Sequence, residues 1–181
     1  MANYLVEGKS RNSLRELANQ LRRVLDLENS VYFPIVETLD VLTEVLFPEF
    51  SYEIVDDNEL PKNTHADTDV LTGHVRIKES VYIGACEGKG RDRMTIAHEL
   101  GHFLTLCLCG FKLERNFSKE ECPPYRDPEW QAKCFAGELL VPAHLIKDLS
   151  PRQIAKQCGV SIDAAQIQYR HIHKGGDENC L

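Results

Sequence analysis

The chain has 181 residues, 43% hydrophobic and 27% charged, which is enough for one domain and excludes wholesale disorder, collagen and coiled coil. A net charge of −7 disfavours general binding to DNA or an anionic membrane, since both need a basic face. Seven cysteines is an odd count, and the first ten residues carry no charged start followed by an apolar stretch, so the expectation is no signal peptide and reduced thiols in a cytosolic protein.

In chain order, Ser13-Leu-Arg-Glu16 has the form of a capping box. Leu14, Leu17, Leu21, Val24 and Leu25 follow at helical spacing. A second helix is expected from Pro34 to Leu46, with Ile35, Leu39, Leu42 and Leu46 on one face and Pro48 ending it. Ser51 to Val55 reads as a short strand and Asp56 to Asp69 as a polar loop. From His74 to Ile83, Val75, Ile77, Val81 and Ile83 alternate with polar residues, which predicts a strand. A further helix is expected to start near Asp92 as its N-cap and to carry Ile96, Ala97, Leu100, Phe103 and Leu104. The longest apolar-looking run, Leu100 to Phe111, is 12 residues and contains His102, whereas a membrane span needs ~20. Phe111 to Tyr125 has no clear period. Asp127-Pro128-Glu129 is a helix opening, with a capping Asp, Pro at the first position and an acid in the first turn. That helix is expected to reach about Leu140 and to stop before Pro142. A last unit spans Ser150 to Arg170.

The chemistry concentrates in His98-Glu99-Leu100-Gly101-His102. Residues four apart on a helix lie only about 40° apart around its axis, so both imidazoles can reach one zinc ion. The adjacent Glu99 is then placed to act as a general base without binding the metal. The competing reading of this short pattern is a helix with two partly buried histidines. A catalytic zinc site usually has three protein ligands and one open position. Glu129, 27 residues after His102, opens the next good helix, and Ala132, Ala136 and Leu140 share its face. Two alanines there allow close packing against the histidine helix. Glu138 lies about 180° around the same helix, so it and Glu129 cannot both face the site, and Glu129 is favoured.

Arg93-Met-Thr-Ile-Ala-His-Glu-Leu-Gly-His102, followed by Asp127-Pro-Glu-Trp-Gln-Ala-Lys-Cys-Phe-Ala-Gly-Glu-Leu-Leu-Val-Pro142, resembles the ImmA/IrrE family of zinc-dependent endopeptidases. The resemblance covers about Gly73 to Arg170. It implies an α+β, zincin-like metallopeptidase with Zn2+ held by His98, His102 and Glu129, and with Glu99 as the catalytic base. It also implies a protein substrate in the cytoplasm, such as a helix-turn-helix transcriptional repressor or an antitoxin encoded nearby. Lys133 departs from the family pattern, which often has Asp or Asn there; a lysine cannot accept a hydrogen bond and so cannot brace a ligand. Met94, where the family often has an aromatic residue, is a milder departure.

A zinc ion would bring the pKa of its water to near 7, and Glu99 would take the proton and later pass it to the leaving amine. Tyr125, Tyr82 and His65 are candidates for a second donor to the developing oxyanion. The expected His74–Ile83 strand is a candidate for pairing with an extended substrate.

The domain division expected is 1–148 for the peptidase-like unit and 149–181 for a C-terminal unit and tail. Pro151 to Arg170 reads as helix, glycine turn and Ser-capped helix, similar to a helix-turn-helix. Its basic residues Arg152, Lys156, Arg170 and Lys174 face one acid, Asp163, and the start of its second helix holds Ile162, Asp163, Ala164 and Ala165, so DNA binding is not favoured. Cys107, Cys109 and Cys122 read as idle thiols rather than a second metal site, and Trp130 as a packing residue. Three alternatives to peptidase action remain: a metal-binding regulator that sequesters its partner, a DNA-binding regulator with a vestigial zinc site, and a protein active only within a complex.

Overall fold

A computed structural model of the chain describes residues 3–108, 114–116 and 123–173. The cysteine cluster at Cys107, Cys109 and Cys122 and the aperiodic stretch from Phe111 fall largely outside these residues. Strand β1 (Asn3–Leu5) pairs antiparallel with β5 (Glu114–Asn116). Helix α1 spans Arg11–Val24 and is capped by Ser10, whose hydroxyl accepts from the Ser13 N–H at 3.1 Å, so the cap sits three residues before the expected one. With that start, Leu14, Ala18 and Leu21 face the core, and Val24, expected on the same face, is exposed. Arg22 takes the edge position instead. It is buried because its guanidinium donates to the carbonyls of Leu139, Leu27 and Ser30, at 2.8, 3.1 and 2.6 Å.

Helix α2 (Ile35–Val41) runs on through a π-helical turn at Leu42–Leu46, which together fill the span predicted from periodicity. Strand β2 (Ser51–Val55) is where it was expected. Strand β3 (Ala66–Asp69) lies in the stretch read as loop. Ala-Asp-Thr-Asp has little strand propensity of its own. It is held by pairing with β4 (His74–Lys78), including a two-pronged Arg76–Asp67 ion pair at 2.9 and 2.5 Å. The expected strand to Ile83 stops at Lys78, where helix α3 (Glu79–Cys86) begins. The Asp57 carboxylate accepts from the Ser80 N–H at 3.0 Å, capping that helix from a distant loop. Val81 and Ala85 are buried four residues apart, so the alternation read there is a helical face. The sheet order is β2-β4-β3, with β4 parallel to β2 and antiparallel to β3. Flanked on both sides, β4 has no free edge for a substrate; β3 is the edge strand among the described residues.

Helix α4 spans Gly90–His102 and continues into a π-helical segment, Phe103–Leu108. Lys89, not Asp92, occupies the cap position, and Asp92 lies in the first turn against Gly84. Helix α5 (Pro128–Leu140) opens as predicted, with the Asp127 carboxylate accepting from the Glu129 N–H at 2.9 Å. Helix α6 (Pro151–Cys158) has a full capping box between Ser150 and Gln153. Gly159 takes the left-handed conformation that ends it, with φ 63°. Helix α7 (Ile162–His173) follows, and Ser161 accepts from the Ala164 N–H. Ile154, Cys158, Val160 and Ala165 of this C-terminal segment share one core with Ile96, Leu100 and Phe135. Arg93, buried in α4, ties the two together: it donates to the carbonyls of Phe33 and Gly159, at 2.8 and 2.9 Å, and stacks on Tyr32. The fold is therefore a mixed α+β arrangement with seven α-helices and a small three-stranded sheet among the described residues. Among those residues no helix is long and apolar enough to cross a membrane.

Candidate metal centre

The site begins with a close helix crossing. A Cβ on Gly101 would lie 3.0 Å from both the Cα and the carbonyl oxygen of Ala132, so α4 and α5 touch backbone to backbone. Ala132 and Ala136 are fully buried at this contact. The approach brings Glu129, a short side chain in the first turn of α5, within reach of both histidines of α4. The Nε2 atoms of His98 and His102 are 3.1 Å apart, and their rings stand at 85° to each other. One Glu129 oxygen is 3.3 Å from His98 Nε2 and the other 3.2 Å from His102 Nε2. Donors bound to a tetrahedral ion at ~2.1 Å lie roughly 3.4 Å from one another. The three ligand atoms, all within 4.8 Å of each other, thus fit a single divalent ion, and two imidazoles with one carboxylate is a donor set that suits zinc. Hydrogen bonding to His102 and then His98 holds the Glu129 carboxyl far below the usual carboxylate range.

Glu99 is 7% exposed and lines the same cleft, but it is aimed differently. Its Oε2 accepts a 2.7 Å hydrogen bond from the Thr68 hydroxyl on β3. The base candidate is therefore oriented by a strand residue that local sequence reading placed in a loop. Nothing in the residues around Thr68 announces this role; it comes from the antiparallel pairing of β3 with β4. The cleft, about 820 Å³, is floored by the two histidines and Glu99 and walled by β3.

Of the three oxyanion-donor candidates, His65 lines the cleft, where Arg91 approaches its Nε2 at 2.8 Å; Tyr82 and Tyr125 are not among the lining residues. Arg91, not singled out from the sequence, is the cationic group on that wall. Lys133 is exposed at the cleft's edge. His102 Nδ1 is buried with no hydrogen-bond partner among the described residues, so packing rather than a bracing acceptor sets that ring. Trp130 is partly buried and packs against the core, as expected. Glu138 faces away: it is 2% exposed and receives Arg11 and Arg15 at 2.8 Å each.

Among solved structures, a Mycobacterium tuberculosis transcriptional regulator is similar, with a TM-score of 0.56 and 16% sequence identity. The likeness covers 85% of this chain and 45% of that one, so the chain spans less than half the length of that protein, and at this identity only the fold is shared evidence. No curated protein matches the chain significantly. The family described as the IrrE N-terminal-like domain matches residues 55–167, a stretch that holds His98, Glu99, His102, Glu129 and β3. With well over half of its length matched, the chain belongs to this IrrE N-terminal-like family of peptidases.

Proposed function

We propose that the chain is a zinc-dependent endopeptidase that hydrolyses a peptide bond in a cytoplasmic protein. The observation that carries this reading is the convergence of His98, His102 and Glu129 within 4.8 Å at the floor of an open cleft, with Glu99 buried beside them. Zinc held by the three ligands would supply a polarised carbonyl and an acidified water. Glu99 is the general base: it takes a proton from the attacking water and passes it to the leaving amine. Thr68 fixes the orientation of the Glu99 carboxylate by donating to Oε2. β3, the edge strand of the sheet among the described residues, offers backbone groups to an extended substrate, and His65 or Arg91 can donate to the oxyanion.

The substrate in this reading is a helix-turn-helix repressor or an antitoxin encoded nearby. In this reading residues 1–148 are the zincin-like peptidase unit, and 149–181 are a helix-turn-helix-like unit and tail, the unit meeting a protein rather than DNA. Its second helix opens on Ile162, Asp163 and Ala164, which offer no basic or amide group to base edges. The test is incubation of zinc-loaded protein with the neighbouring gene's product, read by mass spectrometry. A new peptide terminus that disappears with Glu99→Gln, while the variant keeps its zinc, supports the reading. Undiminished cleavage by purified Glu99→Gln contradicts it.

A second reading has one observation in its favour, the likeness to a transcriptional regulator. Here the chain binds metal and sequesters its partner without cutting it. Stable complex formation without any new terminus, from wild-type protein carrying one zinc, would select this reading.

A further inference from the structure

A second cavity of about 370 Å³, the size of a ligand pocket, adjoins the cleft. Helix α5 forms one wall through Trp130, Cys134 and Gly137, and α7 the other through Ala164, Ile167 and His171. Each set recurs every three or four residues, so each is one face of its helix. The cavity borders the metal centre, since Met94, His98 and Lys133 line both spaces. Ser161, the cap of α7, lines the cleft, so α7 passes from the cleft along the cavity. The C-terminal helix pair therefore builds part of the space beside the proposed reaction centre, a role that its resemblance to a nucleic-acid reader does not suggest.

The walls offer a guest mainly carbon. Met94, Trp130 and Ala164 are only partly buried and Ile167 is 49% exposed, so apolar surface here still meets water and would gain from being covered. The deep polar groups are tied to one another. Gln168 is 4% exposed, with Nε2 closed off against Gly137 and Oε1 accepting from Arg11 Nη1 at 3.3 Å. The same Nη1 donates to Glu138 at 2.8 Å. Burial lowers the His171 pKa from its ordinary value, so that ring is uncharged at neutral pH. No acid lines the cavity among the described residues. Lys133 is exposed on the rim shared with the cleft.

We propose that this cavity is a specificity pocket of the cleft and receives one large apolar side chain, aromatic or long aliphatic, of a polypeptide lying across the histidines. The side chain enters over Met94 and Lys133, two unbranched side chains that can swing aside, and packs between Trp130 and Ile167. A lysine or arginine is disfavoured, because it meets Lys133 and Arg11 and no acid. A carboxylate or amide tip exchanges water for walls that are mainly carbon. The inference rests on the peptidase reading for the path of the polypeptide, but binding alone can test it.

Trp130 is the only tryptophan of the chain, so its fluorescence reports on the cavity wall directly. The experiment uses the full zinc-loaded chain carrying Glu99→Gln, which leaves the peptide uncut, titrated with blocked Ala-Ala-X-Ala-Ala peptides in which X is phenylalanine, leucine, alanine, glutamate or lysine. The expected result is that the phenylalanine and leucine peptides change Trp130 emission and bind about tenfold more tightly than the alanine peptide, as burial of such a side chain predicts. The glutamate and lysine peptides should bind no better than the alanine peptide. Ile167→Glu, at a position exposed enough to take a charge, should erase the preference for phenylalanine and favour lysine, with zinc content unchanged. Equal binding of the alanine and phenylalanine peptides, binding of none, tighter binding of a charged peptide, unmoved Trp130 emission, or a preference that survives Ile167→Glu overturns the proposal. If the peptides bind in the predicted order and the parent chain cuts none of them, the peptidase reading is contradicted and the pocket stands. Cleavage by the parent chain with equal kcat/KM whatever the identity of X does the reverse.

Discussion

Helix α5 carries two glutamates nine residues apart, and they do opposite work. Glu129 sits in the first turn, more than half exposed, facing two histidines across a cleft. Glu138 sits near the other end, 2% exposed, clasped by Arg11 and Arg15 of α1. The same residue type on the same helix faces two imidazoles on one side and serves as a structural tie on the other. The difference comes from what each face meets: a glycine-alanine crossing with α4 on one side, an arginine-bearing helix on the other. An acid that meets imidazoles in an open cleft is available to a metal. One that is fully neutralised by guanidinium groups in the interior is not.

Substitutions can break this comparison at either end. The largest effect is expected from Glu129→Ala, which should lower zinc affinity by more than ~100-fold, beyond the loss typical of a residue that only braces a ligand. The stability of the metal-free protein should change by no more than about 1 kcal/mol, because an exposed pair contributes little. Calorimetric zinc titration beside thermal melting of the chelated protein separates the two. Glu138→Ala should do the converse. Removing it takes the carboxylate from two arginines that keep partial contact with water, at 23% and 31% exposure, and that have other polar partners, so the cost should be about 2–3 kcal/mol rather than the about 3–5 kcal/mol of a fully buried pair. For a chain of this size that is a fall in Tm of roughly 4–12 °C, with zinc still bound below the transition.

A smaller effect sharpens the functional end. Thr68→Val keeps the shape of β3 and removes the hydroxyl that orients Glu99, so cleavage should fall roughly 10–100-fold while zinc content stays constant. Equal turnover by the two proteins would show that Glu99 needs no such brace. The smallest effect concerns two thiols of the interior. Burial pushes the Cys134 thiol up to about 12 and Cys158 up to about 11. At pH 8 both remain protonated, since the ambient pH lies below their raised values, and both should resist alkylation in the folded protein. Cys86 is exposed and should react. Peptide mapping after brief iodoacetamide treatment reads the three positions separately.

The convergence of His98, His102 and Glu129 was legible in the sequence because its ingredients are local. A four-residue spacing puts His98 and His102 on one helix face, and Asp127-Pro128 opens the helix that carries Glu129. The alanines at 132 and 136 announced a close crossing, and Gly101 completes it. What stayed hidden depends on partners far away in the chain. Strand β3 exists through its pairing with β4 and the Arg76–Asp67 ion pair, so Thr68, and with it the orientation of Glu99, had no local signature. The helix at Glu79 is capped by Asp57 from another loop, which is why apolar alternation carried the strand prediction too far. Arg22 and Arg93 are buried because backbone carbonyls from separate segments converge on them, a circumstance that composition and periodicity cannot anticipate. The side cavity is hidden for the same reason, since α7 reaches it only through tertiary packing.

The central claim is that His98, His102 and Glu129 together hold one divalent ion. Native mass spectrometry of the purified chain after equilibration with zinc tests it most directly, run beside His98→Ala, His102→Ala, Glu129→Ala and Glu138→Gln. The account predicts one ion per chain for the parent and for Glu138→Gln, and none for the other three. A parent chain that takes up no ion, or ion binding that survives all three ligand substitutions, would contradict it.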